Sequence, residues 1–589
     1  MSKQRIRPSQ IITTFGPGAI VDLPDDSVMI AGTEHWFEGH KPHTKISEPR
    51  LQAALKVNEF RTPPVGSYND NDVPFVRFPR YRVCPKCSRL SDQFRWPKGD
   101  PSLPPVPRCE TCNRETHPAR LIVACPAGHI DDFPWYRWVH RGNNCGGGNL
   151  YLRGEGKSAA LGDLRVECTC GLSRPLSGAM DKNAMGECGV RCRRRRPWLN
   201  DDDDPNDCND GRTLLYVLQR GASNVYFSVV RSALSIPPWS DPLQAEVASW
   251  WGQFKTPLPV EAWPAVMSAR FPGVDQARVR ECIDRLMGLA TERPSIRREE
   301  YDVFEADQDH STTYFEARRQ EMSSTTARYL SRLVAIPRLR EVRALLGFTR
   351  IEAPELDPTM EAFNEEQRIT VTTAPISAKP LDWLPAVENL GEGIFLQLNG
   401  ERLQEWEKLD AVRRRAETLI KAYSVWRQKR GLPEVKDQRP RLLLLHTLAH
   451  LLMRQMSLDC GYSSASLRER IYSDDKMAGM LIYTSTPDSD GSLGGLVRQT
   501  RLIRIDDGSE RDCFGRLLDD VKDLARTCSG DPLCREHDPR RTERLNAAAC
   551  HACAMVSETS CEFGNRLLDR GMVESLPNSG ATGYLDFDE

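Results

Sequence analysis

The chain has no apolar run long enough to cross a bilayer. Its most apolar stretch, Leu442–Met453, is twelve residues long and is interrupted by His446, Thr447 and His450, well short of the ~20 residues of a spanning helix. Net charge is almost absent: 80 Lys and Arg against 82 Asp and Glu leave −2. Any contact with nucleic acid must therefore come from a local patch. The opening residues MSKQRIRPSQ are polar and lead into no apolar signal segment, so a cytoplasmic location with reduced thiols is the expectation. Reduced thiols favour metal ligation over disulfides. A phosphate loop is lacking as well. Gly154-Glu155-Gly156-Lys157-Ser158 imitates one, but Tyr151 stands where the first glycine is required, and the chain is not expected to hydrolyse ATP by itself.

Cysteine, by contrast, is plentiful and unevenly placed. Of 19 cysteines, eleven lie between Cys84 and Cys208 and five between Cys528 and Cys561. Packing alone would not bunch them. Cys84-x2-Cys87 and Cys109-x2-Cys112 form a pair of knuckles, each presenting two thiolates on one tight turn, and together they predict a zinc ribbon. Four thiolates leave no open coordination position, so its role is structural. Cys125, His129, Cys145, Cys168, Cys170, Cys188, Cys192 and Cys208 offer one or two further sites. The preferred second site draws on Cys145, Cys168 or Cys170, Cys188, and Cys192 or Cys208, because Cys168-x-Cys170 is too close for a usual knuckle. At the C-terminus, Cys550, Cys553 and Cys561 are the expected ligands, with Cys528 or Cys534 completing the set and pinning a helix through Asn565, Leu567 and Leu568 to Gly571. The total expected is two or three Zn2+ ions.

The 589 residues suffice for about three to five domains. The pattern predicts an α+β multidomain chain: a zinc-ribbon N-terminal region, a helical middle and a mixed α/β C-terminal zinc-binding domain. Residues 1–80 form a β/turn segment around Gly16-Pro17-Gly18, and 81–235 the cysteine-rich region. Residues 236–350 read as helical, including Thr325–Leu346 broken or kinked at Pro337. Residues 351–440 mix strands (RITVTTAPI, GIFLQL) with one long helix over 404–430. Residues 441–575 form the C-terminal metal-binding domain, and 576–589 a tail. In that domain RLLLLHTLAHLLMRQM is a buried helix, Ser466 and Glu469 are a capping box for the next helix, and MLIYTS is a strand.

Several groups look catalytic. His446 and His450 have ligand spacing on one helix, but Thr447 replaces the glutamate of a metalloprotease motif, and hydrogen-bonded core histidines are the expectation. With Asp488 and Asp490 of the Gly-rich loop they make the rival reading, a metal-dependent nuclease or hydrolase. Arg193–Arg196, neutralised by Asp201–Asp204, reads as solvated surface. Phe94, Arg95, Trp96, Trp135, Arg137 and Trp138 combine arginines with aromatic faces, which suits single-stranded nucleic acid, while core packing explains any one of the tryptophans equally well.

The strings SQIITTFGPGAIVDLP, CPAGHIDDFPWYRWVH, NVYFSVVRSALSIPP, HTLAHLLMRQ, SLRERIY, GSLGGLVR and CHACAMVSETSCEFGNRLLDR together resemble the DrmB family of the DISARM anti-phage defence system. The C-terminal block resembles a domain shared with MrfA-type helicases. The resemblance covers nearly the whole chain. It implies a non-enzymatic subunit that partners a DrmA-type helicase and helps it engage DNA, beside a methyltransferase that marks host DNA. It also implies a metal-binding signature at Cys550, Cys553 and Cys561. A scaffold that touches protein only is a third reading.

Overall fold

The computed structural model describes residues 6–588 except 25, 38–42, 65–72, 96–105, 142, 144, 155–160, 201–207, 209–212, 252–261, 292–295, 355–372, 430–438, 485–493, 505–509, 540–544 and 578–579. The imitation phosphate loop beyond Gly154, Trp96, the Asp201–Asp204 run, most of RITVTTAPI, and both Asp488 and Asp490 lie outside them.

Helices and strands are mixed throughout. The spine is a nine-stranded sheet, of which five main strands are β1 (Phe227–Leu234), β2 (Phe315–Arg319), β3 (Leu330–Thr349), β4 (Trp383–Leu398) and, further on, β6 (Ala478–Thr484), with β5 (Leu467–Ser473) at the edge. β3 and β4 pair antiparallel over most of their length. Different partners flank the two ends: β3 pairs with β2 near Leu339 and with β1 from Glu341 to Thr349, while β4 pairs with β6 and, at Trp383–Pro385, with the parallel strand Glu59–Arg61. The sheet thus ties the N-terminal segment to the C-terminal one.

The predicted helix Thr325–Leu346 is mostly strand, with only Ser324–Tyr329 helical. Three- and four-residue apolar steps arise here because the strand alternation is broken by bulges. Pro337 sits in the register irregularity between Ile336 and Leu339, where its missing N–H leaves no gap in the ladder. The helical middle is confined to Pro242–Trp251, Trp263–Arg270, Gln276–Thr291 and Ile296–Glu305. Buried Glu300 of the last helix accepts from Arg470 Nη1 (2.5 Å), Tyr472 Oη (3.0 Å) and the Leu234 amide (3.0 Å), locking the helix to β1 and β5.

The helix expected over 404–430 is two helices, α1 (Gly400–Lys408) and α2 (Asp410–Gln428), meeting at extended Leu409. α3 (Pro440–Cys460) is buried nearly all round and ends on left-handed Gly461. It packs with α1, α2, β3, β4 and α4 (Cys513–Arg526) in the largest core. Each of its fully buried leucines contributes about 1.5–3 kcal/mol. The capping box at Ser466 is absent, because Leu467–Ser473 is strand β5. The segment after Cys561 is turns and one short 3-10 turn, Arg570–Met572, instead of the expected helix. Residues set apart as a tail belong to the core: Tyr584 and Leu585 are buried, and Asp588 takes a bidentate ion pair from Arg402.

The cysteine-rich region forms a six-stranded sheet (Arg82–Val83, Arg89–Ser91, His117–Pro118, Leu150–Gly154, Leu164–Cys168, Ser173–Pro175) and a three-stranded one (Leu121–Ala124, Ile130–Asp132, Tyr216–Gln219). Phe94, Trp135 and Trp138 are buried within it. They pack the core and offer no stacking platform, which decides for core packing over the nucleic-acid reading at these three positions. No helix among the described residues is long and apolar enough to cross a membrane.

Candidate metal centres

The first centre is built by two like turns. The Cys84 amide donates to Arg89 O (2.9 Å) and Ser88 N to Cys84 O (2.9 Å); Cys109 N donates to Arg114 O (2.9 Å) and Asn113 N to Cys109 O (2.8 Å). Ser88 and Asn113 close the turns at positive φ, +62° and +49°. The turns bring Cys84, Cys87, Cys109 and Cys112 together, with Cys87 and Cys109 Sγ 3.7 Å apart. A tetrahedral ion with Zn–S bonds of 2.3 Å requires about 3.8 Å between donors. Burial opposes the Cys109 thiolate, but amide donors from Cys112 and Thr111 outweigh it and bring the pKa down to about 7.

The second and third centres divide the remaining thiols differently from the expectation. Cys125, His129, Cys192 and Cys208 converge, all buried. His129 Nδ1 lies 3.3 Å from both Cys125 and Cys208 Sγ, and Cys192 Sγ lies 3.7 Å from Cys125 Sγ. The Cys125–His129 turn needs Gly128 twice over: its φ is +89°, and a Cβ there would come 2.4 Å from Ala374 Cβ. His140, Cys145, Cys168 and Cys170 form the third set. Cys145 and Cys168 Sγ are 3.7 Å apart, and His140 Nε2 is 3.3 Å from Cys170 Sγ. His140 Nδ1 donates to Tyr136 O (2.8 Å), which leaves Nε2 free to act as a donor atom toward the set. Both Cys168 and Cys170 take part, because the turn closed by Gly171 (φ +94°) folds them onto one side. The sequence reading missed His140, whose only signal is its place five residues before Cys145.

Cys188 stands apart. Its sulfur accepts from Arg174 Nη1 (3.0 Å), and that guanidinium also lies over Trp138, 3.5 Å from the ring centroid. Cys188 is a core residue between the second and third sets. We expect Cys188→Ala to leave zinc content unchanged while Cys192→Ser removes one equivalent. Elemental analysis of the two purified variants checks this, and equal losses would reject the partition.

At the C-terminus, Cys528, Cys534, Cys550 and Cys553 converge. Cys528 and Cys550 Sγ are 3.5 Å apart; Cys534 and Cys550 each lie 3.6 Å from Cys553 Sγ. The structure brings both Cys528 and Cys534 to this set and, contrary to the expectation, places Cys561 outside it. Hydrogen bonding from Cys534 leads the effects that lower the Cys553 pKa to about 5, with burial opposing and Arg570 assisting. Cys561 lies instead with His446, His450 and Glu469.

The donor chemistry fits zinc: soft thiolates with imidazole, tetrahedral spacing, and amides aimed at sulfur, as from Asp531 to Cys528 and Arg194 to Cys192. When bound there, zinc supplies cross-links and no open coordination position.

Comparison with known proteins agrees. Residues 448–554 match the MrfA Zn-binding domain family, and residues 7–227 match a domain of unknown function, DUF8724. The DISARM protein DrmB of Bacillus paralicheniformis is 35% identical over 578 residues, covering 94% of this chain and 97% of that protein. The cysteine sets therefore serve a zinc-binding protein, as expected, and the chain belongs to the DrmB family of the DISARM defence system.

Proposed function

We propose that this chain is a zinc-stapled accessory subunit without catalytic activity of its own, which partners a DrmA-type helicase in the cytoplasm and helps it hold single-stranded or overhang DNA. The observation that carries the DNA reading is an arginine-lined concavity of about 540 Å³ beside the second zinc set. Arg80, Arg137, Arg191, Arg193 and Arg195 reach it. Asp132 pairs with Arg80 (3.0 Å), and Asp131 with Arg193 (2.6 Å) and Arg195 (3.6 Å). Arg137 and Arg191 are exposed and have no acidic partner among the described residues. The concavity so carries more cation than anion, and the rigid zinc turn behind it holds the arginines at fixed spacing for phosphates. With Trp135 and Trp138 in the core, phosphate contact replaces base stacking as the main mode of grip.

The hydrolase reading has less to support it. His446 and His450 have no solvent exposure and face Glu469 and Cys561, so no substrate phosphate reaches them. In fluorescence anisotropy with an overhang oligonucleotide and the helicase partner, affinity should fall steeply with salt. Arg137→Ala and Arg191→Ala should each lower the log–log salt slope by about one, with zinc content unchanged. Salt-independent binding, or none with the partner present, would reject the proposal.

A further inference from the structure

His446 and His450 stand one turn apart on α3, their rings 4.5 Å apart. Glu469 enters from β5 and Cys561 from the C-terminal turn. His446 Nε2 is 3.2 Å from both Glu469 Oε1 and Cys561 Sγ, and His450 Nε2 is 3.5 Å from the same carboxylate oxygen. All four donor atoms lie within 4.8 Å of one another. We propose that His446, His450, Glu469 and Cys561 form a further metal centre, closed and structural, that takes a zinc-class divalent cation.

Three independent features support it. First, His450 Nδ1 is bonded to Ala554 O at 2.8 Å, which directs the Nε2 lone pair into the cluster. His450 Nε2 has no hydrogen-bond partner there, and neither does Glu469 Oε2, although both are fully buried. Orphaned buried polar atoms are rare in folded proteins and call for an occupant. Second, the Cys561 sulfur accepts amide bonds from Phe563 (3.3 Å) and Asn565 (3.2 Å), in a turn that passes through Gly564 and Asn565 at positive φ. The sulfurs of the cysteine sets are served by amides in the same way. Third, no lysine or arginine among the described residues bonds to Glu469 or Cys561. A buried carboxylate with no basic side chain beside it is stabilised by a cation, and once binding displaces the Cys561 proton, two anionic donors with two neutral imidazoles balance a divalent ion.

Such a centre would clamp α3, β5 and the C-terminal turn across the buried face of the sheet. Ala554 follows Cys553, so the His450 bond also couples it to the neighbouring four-cysteine set.

Elemental analysis of the full chain tests this. Cys561→Ala and His450→Leu should each lose one zinc equivalent relative to wild type, whereas Cys188→Ala should lose none. A folded variant with the full wild-type count overturns the centre. If the variants do not fold, crystals of the wild-type protein decide. Zinc-edge anomalous density between the four donor atoms supports the site, and its absence, with density present at the cysteine sets, rejects it as a metal-free hydrogen-bond network.

Discussion

Cys553→Ser is expected to lose one zinc equivalent and to lower the thermal midpoint of the C-terminal region by ten degrees or more. Structural zinc sites contribute on the order of 10 kcal/mol of folding free energy, as much as the whole stability of an ordinary domain. Regular secondary structure gives this segment little support. The chain from Thr527 to Leu568 contains no α-helix or strand among its described residues, so few backbone ladders resist unfolding once the sulfurs separate. Arg570 also rests on this frame, donating to Ala548 O (3.0 Å) and Thr527 O (3.0 Å). Losing the set frees both carbonyls and the buried guanidinium together. Calorimetry with elemental analysis checks the prediction; full zinc and an unshifted midpoint would reject it. A strong chelator should reproduce the variant's behaviour in the wild-type protein.

Arg350→Leu should destabilise the N-terminal half by about 3–5 kcal/mol. Arg350 is buried at the end of β3 and satisfies three separate loops. Its guanidinium donates to Gly128 O (2.8 Å), Val225 O (2.6 Å) and Gly18 O (2.9 Å), and lies over Phe348, 4.7 Å from the ring centroid. Gly18 is held close as well: at φ +84°, a Cβ there would come 2.6 Å from the Phe348 ring. Leucine would fill part of the volume but leave three carbonyls buried without donors, each costing about 1–3 kcal/mol. Because Gly128 lies in the Cys125–His129 turn of the second zinc set, loosening should spread there. Hydrogen exchange should show lost protection at 16–18 and 125–129, and Arg350→Lys should recover only a fraction, since one ammonium cannot replace a planar fork. Unchanged exchange at these loops would refute the account.

Much of the site was legible from local chemistry. The paired C-x2-C spacing announces turns that present two sulfurs each, and turn geometry depends on neighbours only. The failure at Thr325–Leu346 has an equally local cause: bulges in a doubly buried strand scramble the period-two signal until it imitates a helix. Buried Glu469 was misread for a related reason. Ser466-x2-Glu469 does carry cap residues, but the glutamate is spent on the histidines of α3 and the chain remains extended.

Composition and spacing alone marked where candidate zinc ligands cluster and supported a mixed helix and sheet chain with such clusters toward both ends. Which thiol joins which set was decided only by the fold. Cys125 meets Cys208 across 83 positions and Cys561 meets His446 across 115. Pairings at such range are fixed by strand register and by helix docking, not by spacing. The docking of α3 on β5 brings His446 and His450 to Glu469 and assigns Cys561 to them, and packing within the cysteine-rich region leaves Cys188 to an arginine.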